Sequence, residues 1–469
     1  MDNMACMRNI LIQRSRIVKE GTKGLQSTKF CVLLLFSVMM IVGLFTLSPT
    51  FSSLMNSVVI NSTGRISLSS ITAKSGSPID IQTAVNAVAA AGGGTVYIPA
   101  GTFTFNPPMD GTGVSIPPNV SVIGAGAGVT ILQETINSGS SFMFDADGQI
   151  NSGPTQGTSI RISAISFIGF VLDESNTFNN GIDMEHQKDF RIDHCNFQNF
   201  ANMAIFCTAN TGGTYPLTNR GVIDHCSFDN PYKDRFQPHN SSAPGDWAVW
   251  GYGIVVVGND QSIRADWDPN IADYLGQYYG IMYNGYSIPS AVYIENCNFT
   301  RCRHAISANG GGYYVSRYNY FEKCSSYGQN DAHGGGAGGY GTRGIESYSN
   351  VFNFADESYS FGQDAAVEMR GGGGVCWNNT VILNPSYGTP TVTLSSDGES
   401  PPYDVEQFYI WNNTAVWTNG TAVNFNSRID TGDYTQNVNY FLRAPNQTLD
   451  GFTYTPFTYP HPLTLQTTP

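Results

Sequence analysis

The sequence DFRIDHCNFQNF (189–200) returns as RGVIDHCSFDNP (220–231) and again as AVYIENCNFTRC (291–302). Each copy has an alternating stretch, then Cys, one polar residue and Phe. Short strands whose residues face alternately inward and outward produce this alternation. The same Cys and Phe positions recur in every copy, which is expected where successive copies stack on one another. The repeat therefore predicts a solenoid of short β-strands.

The pattern extends in both directions, with Asn replacing Cys toward the C-terminus. Further copies are SIRISAISFIGF (159–170), YYVSRYNYFEKC (313–324), RGIESYSNVFNF (343–354), GVCWNNTVI (374–382) and YIWNNTAVW (409–417). The 22 residues from Cys297 to Asn319 fit one three-strand turn of a parallel β-helix, and longer spacings indicate loops. A sandwich or propeller also contains short alternating strands. One Cys or Asn column followed by an aromatic residue favours an all-β parallel β-helix.

The repeat also predicts which side chains stack inside the solenoid. The predicted interior column consists of Phe197, Phe228, Phe299, Phe321 and Phe352. Cys195, Cys226 and Cys297 share one repeat position, which favours a row of interior thiols over a metal site. The I-D-H sequences at 192–194 and 223–225 coincide with the repeat, which favours a scaffold role for them.

The stretch SPIDIQTAVNAVAAAGGGTVYIPAGTF (77–103) predicts a helix followed by strands. Ser77 is a helix N-cap residue, Pro78 suits the first helical position, and glycines 92–94 end the helix. A helix at one end of a solenoid can cover its open core. We therefore expect a capping helix from Pro78 to about Ala91.

This opening resembles that of the pectate-lyase-superfamily β-helix proteins, which have a capping helix, a Gly-rich break and a V-x-I-P-x-G-x-[FY] strand. With the repeats, the resemblance covers residues 77–463. It implies a right-handed parallel β-helix. The superfamily includes polysaccharide lyases, glycosidases, phage tailspikes and surface proteins, so the resemblance is specific for the fold and weak for the reaction. The run RH…DAHG…GTR…E (303–346), after the strand WGYG (250–253), resembles a pattern of secreted β-helix proteins without an assigned reaction.

The N-terminal region predicts membrane attachment. The first 29 residues are rich in Lys and Arg, and residues 30–47 (FCVLLLFSVMMIVGLFTL) contain no charge. A run of 18 apolar residues is long enough to span a bilayer, and the preceding basic residues place the N-terminus inside the cell. A cleaved signal peptide, giving a secreted protein, is the alternative. The predicted organisation is a cytoplasmic leader (1–29), a transmembrane signal-anchor helix (30–47), a Ser-rich stalk (48–76) and the β-helix (77–469).

The charge balance excludes one class of partner. The chain has a formal net charge of −13 although its leader is basic, so the remainder is strongly acidic. Nucleic acid is not expected as a partner, because phosphates require a basic patch. A polyanionic glycan would need a local Arg cluster or a cation. We expect the partner to be a polysaccharide or surface glycan.

Ionisable residues are densest between 301 and 370, in an otherwise charge-poor chain. The predicted catalytic residues are Arg303, His304, Asp331, His333, Arg343 and Glu346. A lyase needs a base and positive charge on the uronate, and a hydrolase needs two carboxylates. Either His could be the base, the two Arg residues could bind the uronate, and the two acids could be the carboxylates. As a scaffold alternative, Asp331 and His333 would brace the Gly-rich loop, and Arg343 and Glu346 would form an ion pair.

A large aromatic insertion is predicted at 229–290. The predicted substrate-binding residues are Trp250, Tyr252, Trp267 and Arg370. Aromatic rings stack on the apolar faces of sugars, although a loop cluster packed on itself is equally compatible. No cofactor is predicted. The acidic residues Asp260, Asp266 and Asp268 could supply oxygens to Ca²⁺, but their spacing does not match an EF-hand loop.

Departures from known enzymes leave the reaction open. Polygalacturonases have N-T-D, D-D, G-H-G and R-I-K motifs, and only 332–334 (AHG) resembles one of them. The R-x-P-x-x-R run of pectate lyases is absent. The I-D-H sequences resemble a pectate lyase motif but fall within the repeat. We predict a cell-surface polysaccharide lyase or glycosidase; the alternative is a non-catalytic glycan-binding, adhesive or structural envelope protein.

The asymmetry of Lys and Arg around residues 30–47 predicts a single-pass membrane protein whose residues 50–469 lie outside the cell. Protease added to intact cells should remove this ectodomain and leave the leader protected, as probed by tags at the two termini. Permeabilised cells, in which the leader is also digested, are the control. Recovery of the whole ectodomain in the medium, beginning near residue 50, would instead show a cleaved signal peptide.

Overall fold

The computed structural model describes residues 58–60, 66–68, 70–107, 112–136, 141–148, 160–170, 179–208, 219–230, 251–258, 291–324, 328–335, 341–356, 365–396 and 404–466. The chain divides into two compact units, Met1–Asn56 and Ser57–Pro469, and the first lies outside these ranges. No helix within the described ranges is long and apolar enough to cross a membrane. The predicted membrane span at 30–47 lies outside them.

Three β-sheets surround the core in the described part of the second unit. Each turn of the solenoid, called a rung, adds one strand to the first sheet, then one to the second and one to the third. The strands of the first sheet are Ser70–Thr72, Gly94–Tyr97, Val120–Ile123, Arg161–Ser163, Lys188–Asp193, Arg220–Asp224, Val292–Glu295, Tyr313–Arg317, Gly344–Tyr348, Gly372–Trp377, Val405–Trp411 and Tyr440–Phe441. Each of these strands pairs with its neighbours in a parallel direction.

The second sheet follows the first after a short turn. Its strands are Gly101–Thr104, Thr130–Gln133, Ser166–Ile168, Asn196–Gln198, Ser227–Asp229, Asn298–Thr300, Tyr320–Glu322, Val351–Phe354, Thr380–Leu383, Thr414–Trp417 and Ala422–Val423. The last strand pairs in an antiparallel direction and so ends the parallel stack.

The third sheet completes each rung. Its strands are Thr112–Ile116, Phe142–Asp147, Asn180–Glu185, Met203–Thr208, Tyr252–Val257, Ile306–Asn309, Gly328–Ala332, Ala365–Met369, Val392–Leu394 and Ile429–Asp430. Outside the three sheets, Val58–Ile60 pairs with Ile66–Leu68. The described helical segments are α1 (Pro78–Ala90), α2 (Gln447–Asp450) and the 3₁₀ turns Phe425–Arg428 and Pro462–Leu465. The parallel β-helix predicted from the repeat is confirmed.

A tight turn between the first and second sheets recurs in most rungs. Its first residue has a left-handed conformation, for example His194 (φ 52°) and Asn296 (φ 56°), and the next residue points into the core. Where that residue is Asn, its side-chain oxygen accepts the backbone N–H at the same position of the preceding rung. These bonds run from Cys297 N to Asn319 Oδ1 (2.9 Å), Asn319 N to Asn350 Oδ1 (3.0 Å), Asn350 N to Asn379 Oδ1 (3.0 Å) and Asn379 N to Asn413 Oδ1 (2.9 Å). The Asn column therefore satisfies backbone donors that a buried turn would otherwise leave unpaired.

The predicted Phe column lies inside the solenoid. Consecutive ring centroids from Phe197 to Phe352 are 5.0, 4.7, 4.9 and 4.6 Å apart, and the rings are nearly parallel. These separations match the spacing of hydrogen-bonded strands, about 4.7–4.9 Å. Cys195, Cys226 and Cys297 are buried beside this column with free thiols. The predictions of an interior Phe stack and an interior row of thiols are confirmed.

Helix α1 covers the N-terminal end of the core as predicted. The Ser77 side chain caps it by accepting from the Asp80 N–H at 3.3 Å. The buried face of α1 consists of Ile81, Ala84, Val85 and Val88. The helix packs on strands Gly94–Tyr97 and Thr112–Ile116. Burial of four apolar side chains holds the cap on the open end of the solenoid.

Two predicted boundaries are wrong. Ser70–Thr72 pairs in parallel with Gly94–Tyr97, so the β-helix begins within the segment predicted as a stalk. Tyr252–Val257 is a regular strand of the third sheet, so 229–290 is not one insertion. Segments 231–250 and 259–290 lie outside the described residues. The repeat could not locate this strand, because a strand of the third sheet carries neither the Cys nor the Phe of the pattern.

The Pro/Tyr-rich tail, Tyr454–Leu463, runs along the outer face of the first sheet. The Tyr454 hydroxyl donates to Glu346 Oε2 at 2.6 Å. The Arg317 guanidinium donates to the carbonyls of Phe457 and Thr458, both at 2.9 Å. Because Arg317 is fully buried, the tail closes this face of the first sheet.

Phe299→Ala should lower the free energy of unfolding by roughly 3–5 kcal/mol, because Phe299 is fully buried between Phe228 and Phe321. Chemical denaturation measures the change. Tyr387→Ala is the control, since Tyr387 is 44% exposed and should change stability by less than about 0.5 kcal/mol. A loss under about 1 kcal/mol in Phe299→Ala would contradict the stacked register.

Candidate functional site

One outward column of the third sheet is apolar only in its middle rungs, at Phe206 and Val255, and polar on both sides of them. The residues that stack in register at one outward position are Phe206, Val255, Ser307, Asp331 and Glu368. Their strand neighbours face the core, as Ile306 and Ala308 do. Parallel pairing therefore brings a hydroxyl and two carboxyl groups from three rungs onto one short line.

Asp331 is fully buried and has strong partners. Arg370 donates to it from Nη2 at 2.8 Å to each carboxylate oxygen and from Nε at 3.1 Å. The Ser307 hydroxyl donates to Oδ2 at 2.6 Å. Burial acts to raise the pKa of Asp331, but the Arg370 charge and the Ser307 hydrogen bond outweigh it and lower the pKa to about 2. Asp331 is therefore an anion at all ordinary pH values.

His304 lies beside Asp331, with 3.9 Å between its Nδ1 and Asp331 Oδ2. The Nδ1 atom is 2.8 Å from the Gly328 carbonyl oxygen. A carbonyl can only accept, so Nδ1 carries the proton and Nε2 is the basic nitrogen of the neutral ring. Burial lowers the pKa of His304 to about 3, against the opposing attraction of Asp331. Tyr252 stacks on the ring with centroids 5.3 Å apart.

Glu368 completes the group. Its Oε2 accepts the Gly328 N–H at 2.8 Å, and its Oε1 is 3.8 Å from Arg370 Nε. We call His304, Ser307, Asp331, Glu368 and Arg370 the Asp331 cluster. One possible ligand atom from each of His304, Asp331 and Glu368 lies within 4.8 Å of the others, a donor set of one nitrogen and carboxylate oxygens that a divalent cation accepts.

Several of the predicted catalytic residues come together. His304 and Asp331 are in the cluster, and Arg303 lies close enough for its charge to contribute to the lowered pKa of His304. His333 interacts electrostatically with Asp331. Arg343 lies in the turn that leads from the third sheet into Gly344–Tyr348, and its N–H donates to the Gly312 carbonyl at 3.0 Å.

Glu346 does not join them, and the prediction that it converges with the others is wrong. It lies on the first sheet, fully buried under the tail, where it accepts hydrogen bonds from the Tyr313 and Tyr454 hydroxyls. Glu346 lies in the strand Gly344–Tyr348, which precedes the turn residue Asn350 and belongs to the first sheet, whereas the cluster is on the third sheet. The two tyrosines give Glu346 a structural role that joins the tail to the sheet.

The predicted binding residues divide in the same way. Arg370 and Tyr252 contact Asp331 and His304 directly. The remaining predicted residues, Trp250, Trp267 and the acidic residues Asp260, Asp266 and Asp268, lie outside the described ranges. Sequence reasoning missed Ser307 and Glu368 as site residues. Only the register of three paired strands aligns these two residues with Asp331. That register cannot be counted from the sequence, because the loops between the strands differ in length.

A second group of similar composition lies on the same sheet several rungs away. His186 Nδ1 is 2.9 Å from Asp147 Oδ1, and Glu185 is within 4.8 Å of both. Asp147 and Glu185 are in-register neighbours on adjacent strands. The third sheet thus has two polar groups on its outer side, separated by the apolar positions Phe206 and Val255.

A family model described as rhamnogalacturonase A/epimerase, pectate lyase-like, matches residues 77–330, more than half of the chain. The chain belongs to this family. The right-handed parallel β-helix implied by the N-terminal resemblance is thereby confirmed. No curated protein matches the chain in sequence.

Solved structures with similarity to the chain include a phage tailspike protein, an epimerase module and a surface adhesin. A tailspike protein of Escherichia coli bacteriophage HK620 in complex with pentasaccharide is 14% identical over 73% of this chain and 54% of its own (TM-score 0.41), so the chain spans about half of that protein. An Azotobacter vinelandii mannuronan C-5 epimerase A-module is 16% identical over 82% of this chain and 94% of its own (TM-score 0.39). A surface adhesin of Streptococcus pneumoniae is 12% identical over 78% of this chain and 88% of its own (TM-score 0.31).

The buried His304 predicts a pH-dependent stability. Its folded-state pKa of about 3 lies below that of an unfolded imidazole, about 6.5. The unfolded chain therefore binds the proton first, and stability present above about pH 6.5 is lost as the pH falls toward about 3. Between about pH 6.5 and 4, wild type should lose about 2–3 kcal/mol more than His304→Gln.

Chemical denaturation at a series of pH values measures this difference. Asp331 contributes its own loss only below about pH 4, where its unfolded carboxyl titrates, so the two effects are separable. His461, whose pKa burial lowers to about 4, is common to both proteins and cancels. Equal pH slopes in wild type and His304→Gln would contradict the prediction.

Proposed function

We propose that this protein is an extracellular carbohydrate-active enzyme that cleaves an acidic polysaccharide by β-elimination, with His304 as the base. The observation that carries the proposal is the neutral His304, held in one tautomer by the Gly328 carbonyl and flanked by Arg303 and Arg370. Family membership supports a substrate of the carbohydrate class. Attachment to the cell surface through residues 30–47 is part of the proposal.

The reaction would follow from these groups. The His304 Nε2 atom takes the proton from C5 of a uronate, the electron pair forms the C4–C5 double bond, and the C4–O bond breaks. The leaving oxygen takes up a proton from water, and His304 returns the C5 proton to water. Negative charge develops on the uronate carboxylate as the C5 proton leaves, so a cation beside that carboxylate stabilises the transition state. Arg303 is half-buried at the margin of the cluster and is the candidate for this role.

The electrostatics of the cluster explain why an arginine is needed. The burial that keeps His304 neutral also makes it a weak base, whereas a general base works best with a pKa near the working pH. Cations that neutralise the uronate acidify its C5 proton and offset this weakness. Asp331 would orient and stabilise the protonated imidazole, since its carboxylate is 3.9 Å from Nδ1.

A glycosidase is the second candidate, and the pair Asp331 and Glu368 favours it. Their carboxyl groups come from adjacent rungs and approach within 4.8 Å, close to the separation of about 5–5.5 Å found in retaining enzymes. One member would have to be protonated to act as the general acid. Because Arg370 and Ser307 hold Asp331 as an anion, that acid would be Glu368.

The ectodomain should produce unsaturated uronate from an acidic glycan in a panel of polysaccharides, seen as ultraviolet absorbance that rises with the number of new reducing ends. His304→Gln should reduce turnover about 10²–10⁴-fold, since glutamine can keep a donor for the Gly328 carbonyl but has no basic nitrogen. The matched control is His186→Gln, another buried imidazole of the third sheet, which should leave turnover unchanged.

The outcomes separate the alternatives. Reducing ends without unsaturation, lost in Glu368→Gln, would show a glycosidase. Retention of a glycan without any product would show a binding protein and contradict an enzymatic role. Loss of turnover in His304→Gln together with a lower melting temperature would point to a scaffold role for the imidazole, so thermal unfolding is measured on each variant.

A further inference from the structure

His194 and His225 occupy the same position in successive rungs, at the turn between the first and second sheets. Both have left-handed backbone conformations, with φ of 52°. Their imidazole rings are parallel within 3°, with centroids 5.1 Å apart. The side chains are 57% and 50% exposed, so two imidazoles stand side by side at the surface.

Each of these rings is oriented by a buried carboxylate. His194 Nδ1 is 2.7 Å from Asp193 Oδ2, and His225 Nδ1 is 2.9 Å from Asp224 Oδ2. A carboxylate accepts, so Nδ1 donates and Nε2 becomes the outer, basic nitrogen of each ring. Arg191 holds Asp224 through two hydrogen bonds of 2.9 Å.

Asp193 is fixed in the same way. Arg161 donates to its two oxygens at 2.6 and 2.7 Å, and Ser163 donates at 3.0 Å. Both carboxylates are fully buried. Each imidazole is therefore hydrogen-bonded to a fixed carboxylate, and its second nitrogen lies on the ring edge away from that carboxylate.

We propose that His194 and His225 form a binding site for a divalent transition-metal ion, with Zn²⁺, Ni²⁺ or Cu²⁺ held between the two Nε2 atoms. Imidazole nitrogen is the ligand type that these ions accept. Metal-binding histidines almost always donate their other ring N–H to a carboxylate or similar acceptor, which fixes the tautomer and raises the basicity of the ligand. Both rings have that arrangement before any metal binds.

The two rings must turn out of their parallel stack to bind one ion, because the outer nitrogens of parallel rings point in parallel directions. Two metal–nitrogen bonds of about 2.0–2.1 Å span at most about 4 Å, whereas the ring centroids are 5.1 Å apart. The outer edges of the rings must tilt toward one another, which rotation about the side-chain torsions of half-exposed residues permits. Water would complete the coordination, because the adjacent rungs have Ala164 and Asn296 at the equivalent turn position.

The site is independent of the Asp331 cluster. It lies at the junction of the first and second sheets, whereas the cluster lies on the third sheet. The two carboxylate-containing groups of the third sheet, at His304 and at His186, offer competing places for a metal. A test must therefore show which histidines hold the ion.

Zn²⁺ titrated into the chelator-treated full chain by calorimetry should bind with a stoichiometry of one at the high-affinity site. His194→Gln and His225→Gln should each weaken that binding roughly tenfold or more, and the double variant should abolish it. Cu²⁺ bound to the wild type should show electron paramagnetic resonance couplings to two imidazole nitrogens, reduced to one in each single variant. Binding should weaken on acidification, because protons compete for Nε2.

The controls are His186→Gln and His304→Gln, which should keep the high-affinity site. Each single substitution changes a half-exposed side chain, so the melting temperature should stay nearly constant and exclude unfolding as the cause. High-affinity Zn²⁺ binding that survives in the double variant, or that is lost in either control, would overturn the proposal. Absence of Zn²⁺ binding to the wild type would also overturn it.

Discussion

The structure depends on the hydrogen-bonded spacing between successive rungs. Parallel pairing fixes each residue directly above its equivalent in the preceding rung, at about 4.7–4.9 Å. Identical side chains then stack, as the Phe column from Phe197 to Phe352 does. Where the turn residue is Asn, the same spacing lets its side-chain oxygen accept a backbone N–H of the preceding rung, as Asn350 does from Asn319. Stacking thus supplies both the apolar core and the pairing of buried backbone groups.

The same constraint places like charges above one another, which would destabilise the sheet without compensation. Asp193, Asp224 and Glu295 are in-register neighbours on the outer face of the first sheet. Arg161, Arg191 and Arg317 each donate to one of them. A buried ion pair is weak evidence of net stability, but loss of one partner leaves an uncompensated charge. The arginines are therefore required by the register itself, and the tail covers the last of them.

Much of the fold could be predicted because the repeated Cys or Asn and Phe lie at a short turn, where no loop of variable length changes their spacing. The first and second sheets flank a two-residue turn, so the Cys or Asn and the Phe keep a fixed separation. The third sheet follows loops of variable length, and offsets from this turn do not give its register. Asp331 and His304 were found because ionisable residues are concentrated at 301–370 in an otherwise charge-poor chain, whereas Glu368 and Ser307 required the strand pairing. Glu346 was misplaced because it precedes the turn residue Asn350, as Glu295 precedes Cys297. Residues before this turn, such as Glu346 and Glu295, belong to the first sheet.

Arg370 decides which member of the Asp331 cluster is charged. Burial alone disfavours both an ionised Asp331 and a protonated His304, and by itself would leave the two groups to share a proton. The guanidinium contacts both oxygens of Asp331 and also acts on His304, so it stabilises the anion and destabilises the imidazolium. The pKa of both groups is thereby lowered, and the cluster has one fixed anion beside one neutral base. Arg370 follows Met369, which faces the core, so one position after the third-sheet strand is enough to set the protonation state of the group.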